Sequence, residues 1–328
     1  MNTGTRLGLY GAGLVVAFGG AFGVAGAVVP DSAVTEWAEE SPAGGAEMEA
    51  HDAEQKTTPT PAAADPAAPN SVKGLSAEAD GYLLSPVQAP GAAGEPGTLG
   101  FRIQDAAGNP VTEYQTSHEQ DLHLIVARSD GSQFRHVHPV LDESTGTWST
   151  PWEWSEAGSY RVFADFKPAA AGAEVGSLTL TQTVQVAGDF TPVEPQPSRT
   201  AQVDGFTVSL DGDLAAGSSS DLTLTVSRDG EPVTSLEPYL GAFGHLVALR
   251  DGDLAYLHVH PKGEEPAAGQ TSGPEIGFAA QVPTTGRYLL YLDFQVDGQV
   301  HTAEFVLDAG NTGTGSATPA GPHSGDGH

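Results

Sequence analysis

The chain has no cysteine among its 328 residues and only two methionines. Disulfides, thiolate ligands and thiol nucleophiles are thereby excluded, and a thioether-rich Cu(I) site is disfavoured. Basic residues are also scarce: 13 Lys and Arg stand against 42 Asp and Glu, a net charge of −29. Such a surface repels phosphate backbones and anionic lipid, which argues against nucleic acid as a partner. It attracts cations only diffusely and reads first as a solubility device. There is no GxSxG elbow, no HExxH and no P-loop, and the Asp-Gly clusters lack the ordered acidic spacing of an EF-hand. Beyond residue 30 no stretch keeps a 3.6-residue apolar period over three turns, so helices are not expected there.

The composition that is present divides the chain. Residues 1–30 hold the uncharged run "LGLYGAGLVVAFGGAFGVAGAVV", Leu7 to Val29, behind the single basic residue Arg6. At about 1.5 Å per residue it can just cross a hydrocarbon core of about 30 Å. It reads as a membrane anchor, or as a signal peptide cleaved after Ala25-Gly26-Ala27. Either reading places the remainder outside the cytoplasm. Residues 31–73, rich in Ala and Pro, have too few large apolar residues for a core and read as a disordered stalk; 310–328 read as a similar tail. The Pro-rich stretch 190–199 reads as a linker. Between these lie two blocks, 74–189 and 200–309. Each is built of short β-branched and aromatic runs such as "LTLTVSR" and "RYLLYLDFQV", bounded by Asp-Gly turns. The expected fold is all-β: two tandem Ig-like or cupredoxin-like β-sandwiches of roughly seven strands each.

The blocks are copies. Shifted by 122 residues, Pro110–Pro139 lies on Pro232–Pro261 without a gap, and ten of thirty positions are identical. The identities include His123 with His245, Arg128 with Arg250, and the tetrapeptide HVHP, which pairs His136 with His258 and His138 with His260. Further on, "GSYRVFADF" lies on "GRYLLYLDF" and pairs Asp165 with Asp293. Six of the 11 histidines fall in matched positions.

Alternate strand residues share a face, so His136 and His138 point the same way, as do His258 and His260. A two-residue Asp130-Gly131 turn sets Ile125 opposite His136 and His123 opposite His138, which gathers the three rings on one face. An odd-numbered loop would scatter them. Three imidazoles so held form a site for Cu²⁺ or Zn²⁺. Asp165 and Asp293, each inside an apolar strand where a lone carboxylate is costly, are the candidate fourth members. The expected ligands are therefore His123, His136, His138 and Asp165 in one copy and His245, His258, His260 and Asp293 in the other. The competing reading is a structural His–Asp hydrogen-bonded cluster without metal. Pro139 and Pro261 read as strand ends, and Phe134, Tyr160, Tyr256 and Tyr288 as core.

The segment "YLGAFGHLVALRDGDLAYLHVHP" followed by "GRYLLYLDF" resembles a family of exported bacterial all-β proteins described as heavy-metal-binding or copper-handling, of the YtkA and CopC-like kind. The first block carries the same pattern with "SHEQD" in place of the Gly-rich approach. The resemblance implies a role outside the cytoplasm in binding, buffering or delivering metal, with a metal transporter or chaperone as partner and no catalysis. Two alternatives stand beside it: a non-metal Ig-like surface structural or interaction module, and a mononuclear copper enzyme.

Overall fold

The protein is described from a computed structural model, which covers residues 72–169, 175–257, 259–267 and 269–311. The apolar run Leu7–Val29, the stalk up to residue 71, the tail from residue 312, and His258 lie outside the described residues. Among the described residues there is no helix, and none long and apolar enough to cross a membrane.

The first repeat comprises β1 (Glu78–Ala79), β2 (Tyr82–Leu84), β3 (Gly97–Gln104), β4 (Leu122–Arg128), β5 (Arg135–Val137), β6 (Val140–Asp142), β7 (Thr147–Trp152), β8 (Gly158–Phe166) and β9 (Leu178–Val186). The second comprises β10 (Thr200–Val203), β11 (Phe206–Asp211), β12 (Ala215–Ala216), β13 (Ser219–Arg228), β14 (Glu231–Pro232), β15 (His245–Arg250), β16 (Tyr256–Leu257), β17 (Val259–Pro261), β18 (Glu275–Gln281), β19 (Gly286–Val296) and β20 (Gln299–Asn311). Each repeat is a two-sheet sandwich. In the first, β1-β2-β3-β7-β6 faces β5-β4-β8-β9; in the second, β10-β11-β13-β18-β17, with β14 at β13, faces β12-β20-β19-β15-β16.

Most strands alternate as a half-buried sheet requires. Leu99, Phe101 and Ile103 of β3 and Leu222, Leu224 and Val226 of β13 point into their own cores. Both repeats also carry the same buried tyrosine corner. The Tyr160 hydroxyl donates to the Glu156 carbonyl and Tyr288 to Thr284, each at 2.8 Å. That hydroxyl-to-backbone closure is a hallmark of Ig-like sandwiches. The core assignment of these two tyrosines follows from it, because the ring fills the sandwich while the hydroxyl finds a backbone partner.

Strands β4 and β15 depart from alternation. "LHLIVAR" is buried at every position, and "HLVALR" is buried throughout its middle. Their even- and odd-numbered residues serve different cores. Leu124 and Val126 face the interior of the first sandwich, whereas Ile125 and Ala127 join Phe163, Val247, Leu249, Leu289 and Tyr291 in a third cluster. That cluster is the contact between the repeats, which lie in one compact unit, Asp65–His328. Phe134 stacks on Tyr291 across it, 4.0 Å between centroids and 5° from parallel. The Tyr291 hydroxyl donates to the Gly131 carbonyl. Gly131 has φ +81°, and a Cβ there would lie 2.3 Å from a Leu289 methyl, so both backbone and docking require glycine.

Candidate functional site: a histidine cluster between the repeats

The hairpin has the even register that the site requires. Leu124 pairs with Val137, Ile125 with His136 and Val126 with Arg135. Arg128 binds Asp130 at 3.0 Å, both side chains 4% exposed, and holds the turn between the two strands. His123 and His136 accordingly face the same way as Ile125. That face looks toward the other repeat rather than to solvent or to the sandwich interior.

On it three ring nitrogens converge. His123 Nδ1 lies 3.1 Å from His136 Nε2 and 3.2 Å from His138 Nε2, and one nitrogen from each ring falls within a 4.8 Å group. The ring centroids are 5.0 to 5.3 Å apart. Imidazoles sharing a tetrahedral ion at about 2.1 Å place their nitrogens about 3.4 Å and their centroids about 5 Å apart. The three residues therefore already stand at ligand spacing.

The outward nitrogens are committed. His123 Nε2 lies 3.0 Å from the Ser117 carbonyl and donates to it, which leaves Nδ1 as a lone pair. His136 Nδ1 lies 2.8 Å from Asp293 Oδ2, with both side chains 3% exposed, and Asp293 Oδ1 accepts from Thr302 Oγ1 at 2.6 Å. A carboxylate behind a histidine fixes the tautomer and presents the far nitrogen as a ligand. Here the carboxylate comes from the second repeat. Burial pushes His123 down to about 3, with His136 beside it adding to the shift. Burial likewise pushes His138 to about 4. Neutral rings are the form that binds metal.

The second copy is arranged differently. His245 opposes Asp293 on β15–β19, as His123 opposes Asp165 on β4–β8. Its Nε2 donates to the Leu240 carbonyl at 2.9 Å, in the same loop as the Ser117 bond of the first copy but one residue further along. Both loops use the same left-handed pair, His118 and Glu119 at φ 49° and 62°, Leu240 and Gly241 at φ 55° and 76°. His245 nevertheless stands beside the first repeat's histidines, its centroid 6.3 Å from those of His123 and His136, and burial pushes it to about 4. His260 sits on β17, which has crossed to the opposite sheet and pairs with β18; it is exposed, opposite Ala279. His258 lies outside the described residues.

The expectation of one self-contained set per repeat is therefore revised. Among the described residues one three-histidine group forms, and it lies at the repeat interface. The carboxylates exchange partners across that interface. Asp293 holds His136 of the first repeat. Asp165 accepts from Thr179 at 3.0 Å and lies 3.5 Å from the Tyr256 hydroxyl of the second. Pro139 lies two residues past Val137, the end of β5, and Pro261 is the last residue of β17, in keeping with their reading as strand ends.

His118 was missed, because it has no counterpart histidine in the other copy. Its ring stands 5.0 Å from His245 and 6.2 Å from His123. The unbroken apolar runs of β4 and β15 were the available signal, since burial on both faces implies a second partner sheet.

A model of one protein family matches twice, over residues 77–186 and 201–311. The chain belongs to that family, a domain of unknown function, DUF8832. No curated protein matches. Among solved structures, Salmonella alpha-2-macroglobulin is 16% identical over 73% of this chain and 15% of its own, with a TM-score of 0.23. The Escherichia coli adhesin FdeC is 16% identical over 74% and 66%, TM-score 0.21. Invasin, a bacterial integrin-binding protein, is 11% identical over 70% and 39%, TM-score 0.21. The chain thus spans less than two thirds of each of these proteins, and likenesses of this size say nothing of activity.

Proposed function

We propose that this protein is an extracytoplasmic tandem Ig-like module that binds one divalent metal, Cu²⁺ or Zn²⁺, through His123, His136 and His138, for buffering or delivery. The convergence of three imidazole nitrogens at ligand spacing carries the reading. Their outward nitrogens are already held by Ser117 and by Asp293 of the other repeat. In neutral rings, His123 Nδ1 and His136 Nε2 meet as two lone pairs at 3.1 Å, which repel unless a cation lies between them. The export reading comes from the Leu7–Val29 run in the sequence.

A specific observation also favours the metal-free reading, an Ig-like surface structural or interaction module. A proton on His136 would let one ring donate to both the Asp293 carboxylate and His123 Nδ1, closing the same network without metal. The adhesin neighbours share the fold class with such modules. Isothermal titration of the protein with Cu²⁺ and Zn²⁺ against a competing chelator separates the two. The metal reading expects one tight ion per chain, lost in the His136→Ala, His138→Ala double variant and retained in His260→Ala. Weak binding that is equal in all three proteins would overturn it in favour of the metal-free module.

A further inference from the structure

Beside the three nitrogens lies a hollow of about 90 Å³ between the repeats, lined in part by His123, His136 and His245. One water needs about 10–15 Å³ of such space, so the hollow takes several. It is also lined by Lys73, Asp165 and Tyr256. A cavity walled by an ammonium, a carboxyl and a phenol is not a packing fault in an apolar interface, because polar groups left dry there are costly. Asp165 and Tyr256 are each only half-buried by surface, although desolvation pushes both groups up. The two observations agree if their open surface lies on this hollow. Asp165 directly opposes His123 on the neighbouring strand, which sets their Cβ atoms about 5 Å apart on one face. His245 does not close the metal set. Its centroid, 6.3 Å from those of His123 and His136, is beyond the spacing of about 5 Å for rings on one tetrahedral ion.

We propose that the hollow is a ligand chamber, in which a metal held by His123, His136 and His138 keeps one coordination position for a small exchangeable anion. The inference rests on the metal reading above. Three histidines plus an open position is the arrangement of exchangeable metal sites, in contrast to closed four-ligand structural ones. Lys73 favours a negative ligand, and the Tyr256 hydroxyl, held only at 3.5 Å by Asp165, can turn to donate to it. The volume limits that ligand to a few atoms, since organic substrates need pockets of about 300 Å³ or more.

The test is an azide titration of the full-length protein loaded with one equivalent of Co²⁺ or Cu²⁺, followed by the visible spectrum, with metal content measured on the same sample. The expected result is a new azide-to-metal band that saturates at one azide per metal. Ser177→Leu, which adds bulk to the hollow without touching a ligand, keeps the metal and weakens azide at least about tenfold. Lys73→Met, which keeps the stem and removes the charge, weakens it in the same direction and serves if the leucine variant does not fold. A metal-loaded protein whose spectrum ignores azide overturns the chamber and leaves the metal reading standing. So does azide binding that is unchanged in both variants. A protein that takes up no metal at the three histidines overturns the metal reading, and the chamber with it.

Discussion

Asp293→Asn is the substitution that most directly probes how the two repeats cooperate. The carboxylate lies 2.8 Å from His136 Nδ1 and accepts from Thr302 at 2.6 Å, and both members of the pair are nearly sealed from solvent. Removing one partner of a buried hydrogen bond to a carboxylate costs about 1–3 kcal/mol or more, because the other is left unsatisfied. Asparagine is milder: its carbonyl still accepts from Nδ1, while its amide meets the Thr302 hydroxyl, which must then turn to accept. The stability loss is expected near 1–2 kcal/mol. The larger effect is on the ligand. Without the anion His136 loses the partner that fixes its tautomer and its aim, and loss of such a partner lowers metal affinity about 10–100-fold, or about 1.4–2.7 kcal/mol. The assay is competitive chelator titration of wild type, Asp293→Asn, His136→Asn and the double variant. A cycle on these proteins should give a coupling of at least about 0.5 kcal/mol, because the carboxylate acts only through His136. Equal metal affinity in wild type and Asp293→Asn, with both folded, would refute the view that the second repeat orients a ligand of the first.

Acid should weaken the metal-free protein before its carboxylates titrate. His123, His138 and His245 are lowered in the folded state to about 3, 4 and 4, from near 6.5 unfolded. The unfolded chain therefore takes up protons that the folded chain refuses. Stability is full above about pH 6.5 and is lost as pH falls toward 4, by up to about 1.4 kcal/mol per pH unit for each fully shifted ring. Urea midpoints at pH 7 and pH 5 measure this, and equal midpoints would contradict it. Gly131→Ala and Gly230→Ala form a matched pair, with φ +81° and +82°. Nothing approaches a Cβ at Gly230, so that variant should lose only the left-handed penalty of about 1 kcal/mol. Gly131→Ala also drives a methyl into Leu289 and should cost clearly more, read by chemical unfolding. Tyr291→Phe keeps the stack on Phe134 but leaves the Gly131 carbonyl without its hydroxyl donor, a loss of about 1–3 kcal/mol in the same assay.

Strand periodicity, the Asp-Gly turns and the duplicated HVHP were enough to read an all-β tandem from the amino-acid order alone. The period of two also set His136 and His138 on one face, but the two-residue turn expected at Asp130-Gly131 is not the one formed: the Arg128 N–H donates to the Ser132 carbonyl around three residues, and the left-handed residue Gln133 restores the register that sets Ile125 opposite His136 and brings His123 to the same face. These are local consequences of a period of two residues and a short loop. Which surface that face meets is not a local property. Only the docking of β4 and β8 against β15 and β19 turned it inward, paired Asp293 with His136 and Asp165 with Tyr256, and set His118 and His245 beside the other rings. Within the second repeat the chain crosses to the far sheet before His260, pairing β17 with β18, so His260 is exposed although its sequence matches His138. Identical tetrapeptides thus meet different surroundings. The reason is physical: a ring's hydrogen-bond partners come from whatever is packed across the interface, and in a pair of repeats that partner is the other copy, more than a hundred residues away.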